Sequence, residues 1–215
     1  MHVVITGANR GIGAKLLSGY ATDGAQITGT SRRPNENLAM LDVTDPASIT
    51  AFAQGLDGQP VDLLICNAGV YADKGEALDS GYPADMWAET FAANVTGVFQ
   101  CIQALLPNLR AAGTARVAII SSIMASSERA PGGSYIYRAS KAAVLNLGRN
   151  LAKDLAADGI AVGIYHPGWV QTDMGGSAAD IDAVTSAAGL RERFERLSLA
   201  TSGCYEDYAG RAIPF

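Results

Sequence analysis

Short apolar runs alternate along this chain with longer stretches whose apolar residues recur at helical spacing. The runs predict strands over 2–6, 25–30, 38–42, 61–66, 115–121 and 160–165. Two of them, Val61-Asp62-Leu63-Leu64-Ile65-Cys66 and Arg116-Val117-Ala118-Ile119-Ile120, are almost unbroken. Strands covered on both faces of a parallel sheet read this way, because neither face meets water. The helical spacing predicts helices over 12–23, 46–54, 83–111 and 134–157. Pro107 should end or kink the third, since proline lacks the N–H that the helix ladder needs. Alternating strands and helices imply an α/β fold with a doubly wound parallel sheet. Neither a repeat nor a linker interrupts the pattern, so residues 1–215 read as a single domain.

Two segments depart from this pattern. Between the second run and Asp42, only Ser31 to Asn37 remain as a connection. A parallel crossover that carries a helix needs about a dozen residues or more. This crossover is therefore expected to lack a helix and to leave one face of the sheet thinly covered. Farther on, Gly175 to Ala200 is irregular and rich in Ala, Ser, Gly and Asp. It ends in the charged run Arg191-Glu192-Arg193-Phe194-Glu195-Arg196. A solvated helix over the end of the sheet and a mobile lid over a substrate are both open readings of it.

Composition changes the picture mainly by exclusion. The chain is 48% hydrophobic and 17% charged, enough for a full core with most residues packed. A net charge of -5 gives no electrostatic case for nucleic acid or an anionic membrane as partner. No apolar stretch reaches the ~20 residues of a membrane span. Cys66, Cys101 and Cys204 are odd in number and lack CxxC spacing, which suggests a reducing compartment and no metal site. The chain opens directly into His2-Val3-Val4-Ile5 without a signal-peptide pattern, so a cytoplasmic location is the expectation. His2 starts a predicted strand and His166 follows one, and both are expected to be structural.

The first strand runs into Thr6-Gly7-Ala8-Asn9-Arg10-Gly11-Ile12-Gly13 and then at once into an amphipathic helix. Glycines allow the tight turn and a close backbone approach, and the helix N-terminus favours a pyrophosphate. The strand–turn–helix setting makes this otherwise common pattern a dinucleotide signature. The second strand ends in Ser31-Arg32-Arg33 with no carboxylate. An acidic residue there would bind the ribose 2′-OH of NAD, whereas Arg32, helped by Arg10, suits the 2′-phosphate of NADP. NADP(H) is the expected cofactor, with NAD as the alternative.

Tyr137 and Lys141 are four apart on a predicted helix and so share a face. A free tyrosine is a poor acid/base near neutrality, and a neighbouring ammonium favours its phenolate. The strand over 115–121 delivers Ser121-Ser122 at its carboxyl end, where open α/β sheets place ligands. A hydroxyl there can stabilise a developing alkoxide. Asn94 lies inside a long helical pattern, where a buried amide needs partners. A water linking Lys141 to solvent is one such partner.

These residues resemble the short-chain dehydrogenase/reductase family, whose members share the Rossmann fold. The turn with Gly7, Asn9, Arg10, Gly11, Ile12 and Gly13 is similar to the family's cofactor turn. Asp42-Val43 resembles its adenine-contacting pair, and Asn67-Ala68-Gly69 its motif beside the cofactor. Asn94, Ser122, Tyr137 and Lys141 match its catalytic tetrad one by one. His166-Pro167-Gly168-Trp169-Val170-Gln171-Thr172-Asp173-Met174 resembles the stretch that closes over the nicotinamide. The resemblance implies cofactor contacts from Ser31, Arg32, Pro167, Gly168, Trp169, Val170, Thr172 and Met174.

Within the family, Tyr135-Ile136-Tyr137-Arg138-Ala139-Ser140-Lys141 and the Ile213-Pro214-Phe215 ending are most similar to the small sniffer and C-factor type carbonyl reductases. The resemblance implies reduction of a small carbonyl substrate, with Tyr137 as proton donor, Ser122 holding the oxygen and Lys141 the nicotinamide ribose. It also implies a homodimer or homotetramer built on the long helices. The rival reading is a catalytically weak NADP(H)-binding sensor or signalling protein of C-factor type, against which the complete tetrad speaks. Segment 177–200 has no recognisable counterpart, so the substrate stays unnamed. Tyr135, Trp169 and Tyr205 are candidates for an apolar pocket wall or for plain packing.

Overall fold

The structure, a computed structural model, describes residues 1–215. Its strands are β1 (His2–Ile5), β2 (Gln26–Ser31), β3 (Ala39–Met40), β4 (Leu63–Cys66), β5 (Arg116–Ile120), β6 (Ala161–His166) and β7 (Tyr205–Asp207). They form one sheet in the order β3-β2-β1-β4-β5-β6-β7, every pair parallel. Strand order reverses between β1 and β4, and that reversal opens a crevice at the carboxyl ends of the strands. The helices are α1 (Gly11–Thr22), α2 (Pro46–Gly55), α3 (Ala84–Phe91), α4 (Gly97–Ala104), α5 (Leu106–Ala111), α6 (Tyr135–Asp154) and α7 (Ala183–Arg196).

Successive strand side chains point to opposite faces, so each buried strand feeds two cores. Val4, Leu64, Val117 and Val162 meet Phe52 of α2, Ile102 of α4, Leu109 of α5 and Val144 of α6. Val3, Ile5, Leu63 and Ile65 meet Leu16 and Tyr20 of α1 and Leu190 and Phe194 of α7. Each such side chain, fully buried, stabilises the fold by roughly 1.5–3 kcal/mol.

The short crossover behaves as its length demands. No helix forms between β2 and β3, and Asn35 and Leu38 close a small antiparallel bridge instead. Leu38 packs with Leu17 and Ile27 on the face a crossover helix would cover. Gly29 makes room for it, since a Cβ there would collide with Leu17 and lie 2.8 Å from the Leu38 methyl. Met40 stays 55% exposed at this edge.

The expected helix over 83–111 is corrected to three shorter ones. A wide π turn at Ala92–Thr96 separates α3 from α4, and Leu105 separates α4 from α5. Pro107 falls in the first turn of α5, where its missing N–H leaves no hydrogen bond unmade. The helix expected over 134–157 is α6 followed by a 3₁₀ turn at Leu155–Asp158.

The segment after Gly175 holds α7, which is neither a lid nor a merely solvated helix. Asp182 caps it by accepting from the Thr185 N–H at 2.7 Å. It buries Ser186, Ala187, Leu190 and Phe194, and Arg191 pairs with Asp23 and lies over the Tyr20 ring. Strand β7 went unpredicted because three residues are too few to show a period. His2 is structural, bonded through Nδ1 to the Pro60 carbonyl and through Nε2 to the Thr28 hydroxyl, both at 2.9 Å.

Candidate active site

The turn after β1 is bolted to the turn after β4. Thr6 Oγ1 accepts from the N–H groups of Asn67 and Ala68, each at 3.0 Å. The Asn67 amide donates to the carbonyls of Thr6 and Gly7 at 3.0 and 2.9 Å. Gly7 and Gly11 have φ of 66° and 54°, a conformation that side chains disfavour. A Cβ on Gly13 would collide with the Gly7 carbonyl and come within 2.6 Å of Asn67 Nδ2. No side chain caps α1 at Arg10, so its first N–H groups remain free for an anion. This cradle fits a dinucleotide pyrophosphate, beside Asn9, Ile12, Ala68 and Gly69.

The tetrad residues converge at the carboxyl ends of β4 and β5, and all four are buried. Asn94 sits in the π turn, 1% exposed, and its amide is shared among protein partners. Its Nδ2 donates to the Val70 carbonyl at 2.9 Å and the Ser140 hydroxyl at 3.0 Å, while Oδ1 accepts from the Val70 N–H at 2.8 Å. A Cβ on Gly69 would stand 3.0 Å from Asn94 Oδ1 and 3.5 Å from Lys141 Nζ, so only glycine leaves that space open.

Ser122 follows β5 and its hydroxyl accepts from the Met124 N–H at 3.1 Å. Tyr137 and Lys141 lie on one side of α6, with Lys141 Nζ 5.6 Å from the Tyr137 ring centre and donating to the Ile120 carbonyl at 3.0 Å. Burial pushes the Tyr137 phenol up to about 12, against the pull of the Ser122 hydroxyl, while Tyr71 and Asp73 push it further the same way. Burial pulls Lys141 itself down to about 8.

The proposed cofactor-selecting side is looser. Arg32 is exposed, and Ser31 is buried with its hydroxyl accepting from the Arg33 N–H. Asp42 lies under an Asx turn that accepts twice from Thr44, and these bonds, with Arg32 a lesser influence, hold its carboxyl below the usual range. Val43 rests on α4, where a Cβ at Gly97 would collide with its carbonyl.

The stretch from Pro167 to Met174 spans the cleft. Pro167 is tied by Ser186, and Gly168 has φ 89°. Val170 pairs with Ile181, and the Thr172 methyl would touch a Cβ on Gly11 at 3.3 Å. Asp173 meets Arg10 at 2.6 Å, and Lys74 reaches the carbonyls of Met174 and Gly175 from the far side. Trp169 donates to the Gly175 carbonyl and is 50% exposed, beside exposed Met174.

Four residues near the site were not singled out from sequence: Tyr71, Asp73, Lys74 and Asp173. The Tyr71 ring stacks on Tyr137 with centres 4.1 Å apart, and Asp73 accepts from the backbone of α6. An acidic residue in the apolar stretch Val70-Tyr71-Ala72-Asp73 was the available signal. Tyr205 proves to be core: it is 4% exposed and donates to the Ser122 carbonyl at 2.5 Å. His166 is kept neutral near pH 7, since burial pulls it to about 4 against the pull of Asp207. No group of His, Cys, Asp and Glu converges as a metal site, and no helix is long and apolar enough to cross a membrane.

The sequence profile of the short chain dehydrogenase family matches residues 1–183. The C-signal of Myxococcus xanthus is 41% identical to this chain, over 77% of it and 99% of that protein. The 3-oxoacyl-acyl-carrier-protein reductase of rhamnolipids biosynthesis from Pseudomonas aeruginosa is 33% identical, over 98% of this chain and 93% of that protein. Among solved structures, the NADPH-bound carbonyl reductase from chicken fatty liver is similar at a TM-score of 0.90, with 29% identity over 100% of this chain and 98% of that one. The carbonyl reductase Sniffer of D. melanogaster is similar at 0.92, with 25% identity over 100% of this chain and 99% of that one.

Proposed function

Because the chain belongs to the short-chain dehydrogenase family, we propose that it is an NADP(H)-preferring oxidoreductase that reduces an aldehyde or ketone, with Tyr137 as proton donor. The observation that carries this reading is the burial of Ser122, Tyr137 and Lys141 together, with the Lys141 ammonium 5.6 Å from the Tyr137 ring centre. The glycine turn and the stretch from Pro167 to Met174 would hold a reduced nicotinamide dinucleotide, which would supply the hydride. Ser122 holds the carbonyl oxygen, and Tyr137 donates the proton from a phenol that burial keeps protonated near neutrality. Lys141 would hold the nicotinamide ribose and keeps a positive charge beside the developing phenolate. Asn94 holds the loop after β4 against α6 and has one Oδ1 lone pair left for a water leading to Lys141.

NADP rather than NAD follows from Arg32 and Arg10 and from the missing carboxylate after β2. A homodimer or homotetramer and a cytoplasmic location belong to the same reading. Trp87 and Phe99, 36% and 38% exposed on α3 and α4, support the assembly. The second reading, a weakly catalytic NADP(H)-binding signalling protein, is favoured by the likeness to the Myxococcus C-signal.

One experiment separates the two. NADPH consumption is followed against a panel of aldehydes, ketones and diketones, with Tyr137→Phe beside the wild type. Turnover by the wild type and a loss of ~10²–10⁴-fold in the variant, at unchanged NADPH affinity, is the expected result. Wild-type silence across the panel favours the signalling reading, and wild-type rates in Tyr137→Phe overturn the assignment of the proton donor.

A further inference from the structure

Helix α6 begins without a cap of its own. Its N-cap residue, Ser134, is left-handed at φ 48° and makes no side-chain bond to the helix. The Ser134 hydroxyl turns instead to the Tyr71 hydroxyl at 2.5 Å. The bonds a cap would make come from Asp73, whose Oδ2 accepts from the Ile136 N–H at 2.8 Å and whose two oxygens face the Tyr137 N–H at 3.2 and 3.3 Å. Asp73 is completely buried, and no lysine or arginine lies within ion-pairing distance of it. Backbone N–H groups at the positive end of a twenty-residue helix are its compensation.

The loop that carries Asp73 begins at Asn67 beside the glycine turn and is pinned to Asn94 at Val70. It therefore ties the cofactor cradle to the first turn of the helix that carries Tyr137. We propose that Asp73, with Tyr71, is a positioning residue for the reaction, capping α6 from a distant loop and fixing the place and charge environment of Tyr137. This rests on Tyr137 being the proton-transfer group.

A purely structural cap would set only the place of Tyr137. A buried negative charge also acts on its ionisation. The groups facing the phenol are Asp73 and Tyr71 from the loop after β4, the Ser122 hydroxyl from the end of β5, and Lys141 from α6. Of these, Asp73 and Tyr71 oppose the phenolate. Alcohol oxidation needs the phenolate, so its rate rises with pH as that form appears.

In Asp73→Asn, the rising limb of kcat for alcohol oxidation is expected to move to lower pH by about half a unit or more, as removal of a nearby like charge requires. The value of kcat should fall about tenfold with KM for the cofactor unchanged, as a displaced acid/base predicts. An unmoved limb, whether or not kcat falls, overturns the inference. Should Asp73→Asn yield no folded protein, Tyr71→Phe decides, because it frees Ser134 and leaves the buried charge in place. A kcat several-fold down at constant KM supports the inference, and a wild-type kcat overturns it. Tyr137→Phe in the same assay keeps the two levels apart. An active Tyr137→Phe sinks the proposed function, whereas an inactive one beside an unmoved Asp73→Asn limb sinks only the role of Asp73.

Discussion

Around Tyr137 the polar side chains are buried and bonded to protein, whereas around Arg32 they face solvent. Asn94, Ser122 and Lys141 each have a partner on the main chain, and the Tyr137 ring stacks on Tyr71. Arg32 is exposed, and the Arg10–Asp173 pair leaves its side chains 68% and 77% exposed. The difference follows from the two jobs. An acid/base must be held within a fraction of an ångström of its target, and burial tunes it. A phosphate binder works through charge and long donors, which tolerate motion and water. Substitutions on the buried side should therefore act as switches, and those on the exposed side as dials.

The sharpest test of the buried side is Lys141→Met. Activity should fall by on the order of 10²-fold or more, since the charge beside the phenol is gone. Stability should move the other way. The folded pKa of Lys141 is depressed from 10.5 to about 8 by burial, so the unfolded chain binds more protons between those values. The Lys141 contribution to stability should consequently rise as pH climbs from about 8 to 10.5, so the gap in stability between wild type and Lys141→Met should narrow over that window. Below that window the buried ammonium costs on the order of a few kcal/mol, which methionine relieves, offset in part by the lost bond to the Ile120 carbonyl. Denaturant melts at several pH values decide it, and a pH-independent difference between the two proteins would break the contrast drawn above.

Next in size is Arg32→Glu on the exposed side. Replacing a charge-assisted donor worth ~1.5–3 kcal/mol should shift the ratio of NADPH to NADH efficiency by roughly 10–100-fold toward NADH. Steady-state kinetics with both cofactors measure it, and an unchanged ratio would remove Arg32 from cofactor selection. Tyr205→Phe should be milder. It deletes one of two donors to the Ser122 carbonyl and leaves the Ala125 N–H in place at 3.0 Å, at a cost of about 0.5–1.5 kcal/mol in stability. Thermal melting reads the loss, and a wild-type melt would show that the bond contributes nothing. The smallest effect belongs to Asp173→Asn. Freeing Arg10 from its exposed partner should lower KM for NADPH about two- to five-fold, in keeping with the ~0.2–1 kcal/mol of a surface pair. A raised KM would mean that Asp173 holds Arg10 for the cofactor rather than from it.

Much of the molecule is local and therefore readable along the chain. Buried parallel strands announce themselves by unbroken apolar runs, and the missing crossover helix by a count of residues between β2 and Asp42. The glycine turn and the Tyr137–Lys141 spacing are likewise properties of a few consecutive residues. Other features depend on residues that meet only after folding. A helical pattern over 83–111 does not reveal the π turn that lets Asn94 reach Val70 and Ser140, because widening one turn leaves the apolar spacing nearly intact. Charged Arg191 and Arg193 suggested solvent, but Leu190 and Phe194 on either side of them bury α7 against α1.

The bonds from Asp73 to α6 and from Arg10 to Asp173 join residues 63 and 163 apart. A side chain that bonds to a distant backbone N–H or a distant charge leaves no period in the sequence, since any polar residue in the right place serves. The sequence by itself therefore determined the first six strands of the sheet, the cofactor turn and the identity of Tyr137 as the group to watch. Only the tertiary structure decided what surrounds that tyrosine: the burial that raises its pKa, the ring of Tyr71, and the carboxylate of Asp73 at the start of its helix.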